Sequence, residues 1–383
     1  MHRLPFLLGV HMTTVSVLIK PASGQCNLRC RYCFYRDETE KRAAASFGVM
    51  SEETLRAVLQ KLLAAAEDSC AIVFQGGEPT LAGLDFFRRA VCLAEALNVN
   101  GCELRFALQS NGLLLDEAWC AFLAERKFLV GLSLDGPRAL HDRNRVDTKG
   151  QGSYARARRA LGLLKKHGVD VNILSVITAQ TCGEVRRTNA FFSEAGLRWR
   201  QGIPCLDPLG ETRGQKPWAL TPEAYERYLK TAFDCWYEDE TRGRPTYHRS
   251  FENLLMLLAG QAPEACGMLG VCGPQYVVEA DGGVYPCDFY VLDAYRLGSL
   301  VTDSLARIDA RRAALGFIEE SPCRDPECRA CRWHPLCRGG CRRDRDYFEA
   351  GLGRNYYCRA YRGFFEYAYE RLEEIYRRRL AHA

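Results

Sequence analysis

Six apolar, β-branched runs alternate with helical patterns in the first half of the chain, and this alternation constrains the fold more than any other feature. The predicted strands are Val15–Lys20, Ala71–Gln75, Leu104–Gln109, Leu129–Leu134, Asp170–Ile177 and Arg198–Ile203. The predicted helices between them are Glu52–Glu67, Leu84–Leu97, Asp116–Arg126, Tyr154–His167 and Glu184–Glu194. Such alternation predicts an α/β fold with a parallel sheet, either doubly wound or a partial barrel.

Unusual residues follow each of the first four predicted strands. In order along the chain they are Cys26, Cys30 and Cys33, then Gly76-Gly77-Glu78-Pro79, then Ser110-Asn111-Gly112, then Asp135-Gly136-Pro137. Active sites of parallel sheets lie at the carboxyl ends of the strands in both candidate arrangements. We therefore expect these four loops to form a single active site.

The alternation stops near residue 215. Thr221 is the predicted N-cap of a helix that runs to Arg242, a second helix covers Phe251–Ala259, and a hairpin is predicted over 276–286. The expected division of the chain is 1–13 (N-terminal extension), 14–215 (parallel-sheet domain), 216–262 (helical connector), 263–360 (small Cys-rich domain) and 361–383 (C-terminal helix). The last helix has an apolar stripe that we interpret as core packing: Phe364, Phe365, Ala368, Leu372, Ile375 and Tyr376.

The chain has 19 cysteines in 383 residues, an abnormal number for an ordinary globular protein. A chain of this length can form a core without disulfides, and it has no cleavable signal and no apolar window of about 18 residues. We expect a cytoplasmic protein outside the membrane whose clustered cysteines bind metal. The net charge of +5 is too small to indicate nucleic-acid binding.

Cys26, Cys30 and Cys33 have the spacing C-x3-C-x2-C. Each iron of a [4Fe–4S] cube takes one outer thiolate, so three cysteines leave one iron open to a small molecule. A structural zinc ion would need four ligands and fits poorly, whereas a disulfide with a spare thiol stays an alternative. Tyr32 and Tyr35 beside the loop would either shield the cluster from water or pack in the core.

The run Cys26-Asn27-Leu28-Arg29-Cys30-Arg31-Tyr32-Cys33 resembles the signature of the radical S-adenosylmethionine superfamily, and Gly76-Gly77-Glu78-Pro79 is similar to its GGEP loop. The resemblance implies a partial (β/α)6 barrel that binds S-adenosylmethionine at the open iron. One electron from the cluster would cleave it to a 5′-deoxyadenosyl radical. The resemblance places contacts with S-adenosylmethionine at Tyr32, Gly76, Gly77, Glu78, Asn111, Ser133 and Arg145.

Nine cysteines lie beyond residue 260, and eight of them are candidate ligands that suffice for two four-ligand sites. By spacing alone these sites could hold zinc or iron–sulfur clusters. Their arrangement resembles the SPASM extension of radical enzymes, which implies two fully ligated [4Fe–4S] clusters and three clusters in all. The resemblance implies interleaved ligand sets, namely Cys266, Cys272, Cys287 and Cys341 for one cluster and Cys328, Cys331, Cys337 and Cys358 for the other. Cys323 is surplus and could compete.

Three longer stretches, Lys20–Ser23, Phe74–Gly83 and Tyr285–Asp293, are similar to anaerobic sulfatase-maturating enzymes. These enzymes oxidise a Cys or Ser of a sulfatase to Cα-formylglycine. The resemblance implies a sulfatase polypeptide as substrate, a flavodoxin or ferredoxin as electron donor and a monomeric enzyme. It also implies that Asp288 is the base that takes the substrate's proton. The candidates for contact with the substrate peptide are Tyr35, Gln75 and Gln109.

Two other functions stay open at this point. One is a SPASM enzyme that crosslinks or epimerises a ribosomal peptide, although we see no room for a leader-binding domain before residue 14. The other is a non-catalytic electron carrier with three clusters, for which an open iron would serve no purpose.

Overall fold

The computed structural model describes residues 14–348 and 351–381, so the predicted extension at 1–13 lies outside the described residues. All six predicted strands are present with small shifts at their ends. They are β1 (Thr14–Ile19), β2 (Ser69–Phe74), β3 (Glu103–Ser110), β4 (Leu129–Ser133), β5 (Asp170–Ile177) and β6 (Trp199–Pro204).

Seven helices accompany these strands in the described part of the chain. They are α1 (Phe34–Glu40), α2 (Glu52–Ala65), α3 (Leu84–Leu97), α4 (Glu117–Glu125), α5 (Arg138–Asn144), α6 (Tyr154–Lys166) and α7 (Val185–Glu194). Side chains cap two of them: Ser51 Oγ accepts from the backbone N–H of Thr54 at 3.2 Å, and Asp116 Oδ1 accepts from that of Trp119 at 3.0 Å. Helices α1 and α5 were not predicted because each has only 7 residues and no apolar period.

Strands β1 to β6 pair in consecutive order, each parallel to the next. A doubly wound sheet reverses its strand order at a switch point, whereas a barrel winds in one direction. The observed strand order therefore indicates a partial barrel rather than a doubly wound sheet. The barrel stays open because β6 pairs onward with β7 (Tyr247–His248) rather than with β1.

The main apolar core lies between this sheet and its helices. Phe74, Phe87 and Phe128 are fully buried, and the ring centroids of Phe74 and Phe87 are 4.8 Å apart. Full burial of a side chain of this size stabilises the fold by about 1.5–3 kcal/mol. This core gives the loops at the carboxyl ends of the strands a rigid base.

The Cys-rich half adds helices and short strands to the same body. The remaining helices are α8 (Pro222–Thr241), α9 (Arg249–Leu258), α10 (Leu305–Ala314), α11 (Pro326–Ala330), α12 (His334–Cys337) and α13 (Cys358–Ala381). The remaining strands are β8 (Tyr276–Val278), β9 (Gly283–Tyr285), β10 (Gly298–Ser299), β11 (Arg345–Phe348) and β12 (Gly351–Asn355). The predicted hairpin is present as β8 and β9, which pair antiparallel.

Strand β8 also pairs in parallel with β1, so one ten-stranded sheet runs through both halves of the chain. The sequence did not predict this junction, because a strand of three residues carries too little pattern to show its partner. The Cys-rich segment is consequently anchored to the same strand whose end carries the three-cysteine loop.

Helix α13 begins at Cys358 rather than at residue 361 and packs against α8 and α9. Phe364 contacts Phe233 and Phe251 with ring centroids 5.8 and 5.9 Å away. The interpretation of its apolar stripe as core is confirmed by the burial of Phe364, Phe365, Ala368, Leu372 and Ile375. Among the described residues, none of the helices has the length and apolar character that crossing a membrane requires.

Candidate active site

The loop after β1 carries Cys26, Cys30 and Cys33, whose side chains are half-buried. The backbone N–H of Arg29 donates to Val146 O at 2.7 Å, which ties the loop to the segment after α5. Burial raises the pKa of Cys26 to about 12 and also raises the pKa values of Cys30 and Cys33. The thiols add to one another's shifts, so the three sulfur atoms share one small region. Metal binding at these thiols would have to release protons.

The Gly76-Gly77-Glu78-Pro79 loop after β2 packs directly against the cysteine loop. The backbone N–H of Gly77 donates to Ser23 O at 3.1 Å, and that of Glu78 donates to Gln25 O at 2.7 Å. A Cβ on residue 77 would lie 2.1 Å from Gln25 O, far inside van der Waals contact. Glycine is therefore required at this position for the two loops to meet.

Glu78 is buried, and its carboxylate is held by residues after β2 and β3. Its Oε1 accepts from Thr80 Oγ1 at 2.6 Å and from Ser110 Oγ at 2.8 Å, and its Oε2 accepts from the backbone N–H of Asn111 at 2.8 Å. Burial raises the pKa of Glu78, while these donors oppose the shift. Glu78 thus joins two active-site loops, and its contact with S-adenosylmethionine stays a prediction.

Asn111 lies beside the cysteine loop, as expected for a residue near the cofactor. Its Nδ2 donates to Asn27 Oδ1 at 2.8 Å and approaches Cys26 Sγ at 3.9 Å. Ser133, at the end of β4, accepts from Gln109 Nε2 at 3.2 Å. Gln109, a predicted contact of the substrate peptide, is therefore hydrogen-bonded to Ser133, a predicted contact of S-adenosylmethionine.

Tyr32 and Arg145 meet at Asp135, a residue of the fourth loop that was not among the predicted site residues. Arg145 Nε donates to Asp135 Oδ2 at 3.0 Å, and the Tyr32 hydroxyl donates to the same oxygen. The Arg145 guanidinium also lies 5.5 Å from the centre of the Tyr32 ring. This buried trio holds the middle of the cysteine loop against the end of β4.

Asp288 lies at the centre of a second group, directly after Cys287 and 8% exposed. Its Oδ2 accepts from the Tyr35 hydroxyl at 2.5 Å and from Gln75 Nε2 at 2.9 Å, and Gln75 Nε2 lies 2.7 Å from the Tyr35 hydroxyl oxygen. Three residues that the sequence singled out thus come together from β2, α1 and the Cys-rich half. Burial raises the pKa of Asp288, and the charge of Lys20 opposes this shift.

Buried charges that the sequence analysis missed surround this group. Lys20 Nζ lies 3.4 Å from Glu279 Oε1 and 3.8 Å from Glu38 Oε2, and Arg42 Nη1 donates to Glu279 Oε1 at 2.7 Å. Burial raises the pKa of Glu38 to about 8, with a further contribution from Asp288. The available signal was a lysine directly after the apolar run of β1, since charged residues are seldom buried without partners.

The eight later cysteines line two separate cavities, four in each. Cys266, Cys272, Cys287 and Cys341 line the first, and Cys328, Cys331, Cys337 and Cys358 line the second. These are the two interleaved sets that the resemblance implied. Asp288 follows a member of the first set in the chain.

Cys323 lies beside the second set and hydrogen-bonds Cys328, so its competition for that site stays a prediction. Within residues 14–348 and 351–381, no three His, Cys, Asp or Glu side chains are arranged to hold a single metal ion. The thiols are instead spread around their cavities, and a cube has each cysteine on a different iron. The ligand assignment itself stays a prediction.

Comparison with known proteins identifies the family. The radical SAM superfamily profile matches residues 21–188, and that of the SPASM iron-sulfur cluster-binding domain matches residues 271–332. The Cysteine-type anaerobic sulfatase-maturating enzyme of Clostridium perfringens (strain 13 / Type A) is 44% identical over 95% of this chain and 99% of its own. The chain belongs to the anaerobic sulfatase-maturating enzymes.

Two further members of the comparison agree with this family. The Serine-type anaerobic sulfatase-maturating enzyme of Klebsiella pneumoniae is 30% identical over 91% of this chain and 86% of its own. The solved structure of native anSMEcpe with bound AdoMet and Cp18Cys peptide has a TM-score of 0.91 and 43% identity, covering 95% of this chain and 99% of that one. The predicted family and fold class are therefore confirmed, and the protein is a radical SAM enzyme.

The residues present fit the groups that this family implies. Three thiols on one loop can ligate three irons of a cube and leave the fourth open. Each later cavity offers the four thiols that a fully ligated cube takes. Asn111 and the Tyr32–Arg145–Asp135 trio supply polar groups beside the three-thiol loop.

Proposed function

We propose that this anaerobic sulfatase-maturating enzyme oxidises a cysteine of a sulfatase polypeptide to Cα-formylglycine. The observation that carries the proposal is Asp288, a buried carboxylate held by Tyr35 and Gln75 beside a cavity lined with four thiols. Cysteine rather than serine is favoured because the cysteine-type relative is 44% identical and the serine-type relative 30%.

The oxidation removes one hydrogen atom, one proton and one electron from the substrate side chain. The bound groups supply a 5′-deoxyadenosyl radical for the hydrogen atom at Cβ and a cluster that accepts the electron. The thiol proton goes to Asp288. The CH2–SH group thereby becomes CH=S, which water converts to the aldehyde with release of hydrogen sulfide.

The arrangement around Asp288 supports one of its two oxygens as the proton acceptor. Tyr35 and Gln75 both donate to Oδ2, whereas Oδ1 is buried and has no hydrogen-bond partner among the described residues. Oδ1 is therefore the acceptor that remains for the substrate thiol. A raised pKa suits a carboxylate that must take a proton from a thiol, because a stronger base narrows the difference in pKa between them.

The decisive experiment follows a sulfatase-motif peptide by mass spectrometry. The anaerobically reconstituted enzyme is incubated with S-adenosylmethionine, dithionite and the peptide with cysteine, serine or alanine at the target position. We expect loss of the thiol as an aldehyde in the cysteine peptide and no change in the alanine peptide. A product that has lost two hydrogens and kept its sulfur in a covalent crosslink, identified by fragmentation, would contradict the proposal, whereas the thioaldehyde of the same mass belongs to the proposed route.

We further propose three [4Fe–4S] clusters, so iron analysis should give roughly twelve irons per chain. Two zinc ions with roughly four irons would contradict the account of the Cys-rich half. Release of 5′-deoxyadenosine under the same conditions separates an enzyme from an electron carrier. A flavodoxin or ferredoxin as electron donor, a monomeric state and a cytoplasmic location stay predictions of the sequence.

A further inference from the structure

Two arginines line the first four-thiol cavity together with Cys266, Cys272, Cys287 and Cys341. They are Arg342 and Arg345, which directly follow the last of those cysteines in the chain. Arg342 is 4% exposed and Arg345 is 5% exposed. Both therefore bring a positive charge into the interior, where an unpaired charge is costly.

The hydrogen bonds of Arg342 do not neutralise its charge. Its Nη1 donates to Phe317 O at 2.7 Å, its Nη2 donates to the Tyr347 hydroxyl, and its guanidinium lies 4.3 Å from the centre of the Phe317 ring. The Nε of Arg342 has no hydrogen-bond partner among the described residues.

The hydrogen bonds of Arg345 likewise leave its charge without a counter-charge. Its Nε and Nη2 donate only to the backbone oxygens of Cys341, at 3.4 Å, and Gly340, at 3.2 Å, and its Nη1 has no hydrogen-bond partner in the described part of the chain. The field of Arg345 reaches the buried carboxylate of Asp344 and opposes the rise that burial causes in its pKa. Within residues 14–348 and 351–381, however, neither Arg342 nor Arg345 forms an ion pair with a carboxylate.

Both charges act on the thiols of this cavity. Arg342 and Arg345 line the same cavity as the four thiols, so their positive charges lie close to the sulfur atoms. Four thiolates around a [4Fe–4S]2+ cube give a net charge of two minus, which becomes three minus after one-electron reduction. Such an anion would balance the two guanidinium groups, which form no ion pair among the described residues.

The second four-thiol cavity has a different electrostatic environment. Its arginines, Arg354 and Arg362, are exposed. Arg354 also pairs with Asp325 at 2.9 Å and with Glu327 at 2.6 Å, which cancels its charge locally. Because both arginines face solvent and Arg354 is paired with two carboxylates, the positive field at the second set is weakened.

We propose that Arg342 and Arg345 are the buried counter-charges of the cluster at Cys266, Cys272, Cys287 and Cys341, and that they raise its reduction potential above that of the other auxiliary cluster. Fixed positive charge favours the reduced form, because reduction adds one negative charge in a medium of low dielectric constant. The inference rests on the proposed function, in which a cluster held by these four cysteines would accept the substrate's electron; Cys287, one of its ligands, directly precedes Asp288.

The test is an anaerobic redox titration of the fully loaded enzyme, followed by electron paramagnetic resonance, with Arg345→Gln and Arg342→Gln. We expect one of the three midpoint potentials to fall by about 59 mV in each variant. For one electron this corresponds to a change of about tenfold in the equilibrium constant for reduction. Arg345→Lys keeps the charge and should keep that potential. Arg354→Gln is the matched control near the second set and should shift none.

Loss of about four irons from Arg345→Gln but not from Arg345→Lys would also support the counter-charge role, because a cluster whose negative charge is not neutralised binds less tightly. Three unchanged potentials in both glutamine variants would overturn it, and so would equal shifts in Arg345→Gln and Arg345→Lys. The potentials are measured without substrate. If the peptide assay gave no formylglycine, the proposed function would fail while the counter-charge role could still be tested.

Discussion

The properties of Asp288 depend on single side chains from distant parts of the sequence. Tyr35 and Gln75 hold one of its oxygens, and the charge of Lys20 opposes the rise in its pKa. Each of these contacts joins residues more than two hundred positions apart, so each depends on the complete fold. The effects of point changes at this group therefore test the assembled site.

Asp288→Asn should abolish formylglycine formation while S-adenosylmethionine is still cleaved to 5′-deoxyadenosine. The amide keeps the size of the side chain but cannot take the thiol proton, so radical formation becomes uncoupled from product. Chromatography of 5′-deoxyadenosine and mass spectrometry of the peptide measure the two outcomes together. Asp293→Asn, an exposed aspartate of the same loop, is the control and should keep both activities. Normal formylglycine formation in Asp288→Asn would refute the proposal that Asp288 is the base.

Glu38→Gln should change how stability depends on pH. Burial raises the pKa of Glu38 to about 8, above its ordinary value of 4.5, so the folded state binds this proton more tightly than the unfolded state. Its stabilising contribution is therefore complete below about pH 4.5 and is lost as the pH rises through about 8. The unfolding temperature of the wild type, relative to Glu38→Gln, should fall from pH 5 to pH 8.

Glu40→Gln is the control for this pH dependence. Glu40 is exposed in the same helix and pairs with Arg36, so its replacement should leave the pH slope of the wild type unchanged. Parallel unfolding curves for wild type and Glu38→Gln across the same pH range would show that Glu38 is ionised throughout.

At the scale of elements, the active site is a set of loops that touch because the ends of β1, β2, β3 and β4 are neighbours. Glu78 links the loops after β2 and β3, and Asp135 links the loop after β4 to the cysteine loop. The closest approach is between Gly77 and Gln25. This backbone contact therefore helps to position the loop that carries the three thiols.

Gly77→Ala should separate these loops and weaken the three-thiol site. Its Cβ would lie 2.1 Å from Gln25 O, and overpacking of this kind costs about 1–3 kcal/mol of the free energy of unfolding. We expect a loss of about four irons per chain together with lower stability, measured by iron analysis and chemical unfolding.

Gly162→Ala is the matched glycine control. Gly162 lies in the interior of α6 with no atom within 4 Å of the Cβ position, so alanine should stabilise the helix by about 0.5–1 kcal/mol and leave the iron content unchanged. Full iron content and normal stability in Gly77→Ala would show that the two loops can move apart freely.

At the scale of the whole molecule, β1 is flanked on one side by β2 and on the other by β8. The main core likewise includes Tyr276, Val278 and Val284 from the Cys-rich half, packed with residues of the partial barrel. The two halves therefore share a sheet and a core, which keeps Asp288 in register with Tyr35 and Gln75.

A fragment of residues 14–262 should consequently aggregate. It would expose the unpaired edge of β1 and the apolar surface that β8 covers, and exposed edges of this kind pair with other chains. Size-exclusion chromatography of the fragment beside the full chain measures the effect. A monomeric fragment with intact strand and helix content would show that the barrel folds without its C-terminal partner.

Much of this architecture could be predicted, because long elements carry periodic patterns. The six strands and the helices from α2 to α9 were found by apolar period and caps, apart from the short α5. Helices α1 and α10 to α12 and strands β7 and β10 to β12 were also missed. Most of them have too few residues to show a period. At the site, Tyr35 and Gln75 were expected near the substrate. Asp135 was expected only as part of an active-site loop, and Glu38 was not expected at the site.

The sequence by itself determined the family, the three-thiol loop and the number of later thiols, because cysteine spacing and the GGEP loop are local patterns. Only the tertiary structure decided which polar groups surround each site. Three features depend on burial: the ion pair of Arg145 with Asp135, the charge of Lys20 near Asp288, and the guanidinium groups of Arg342 and Arg345, which form no ion pair among the described residues. Burial depends on the packing of distant segments, and no local pattern records it.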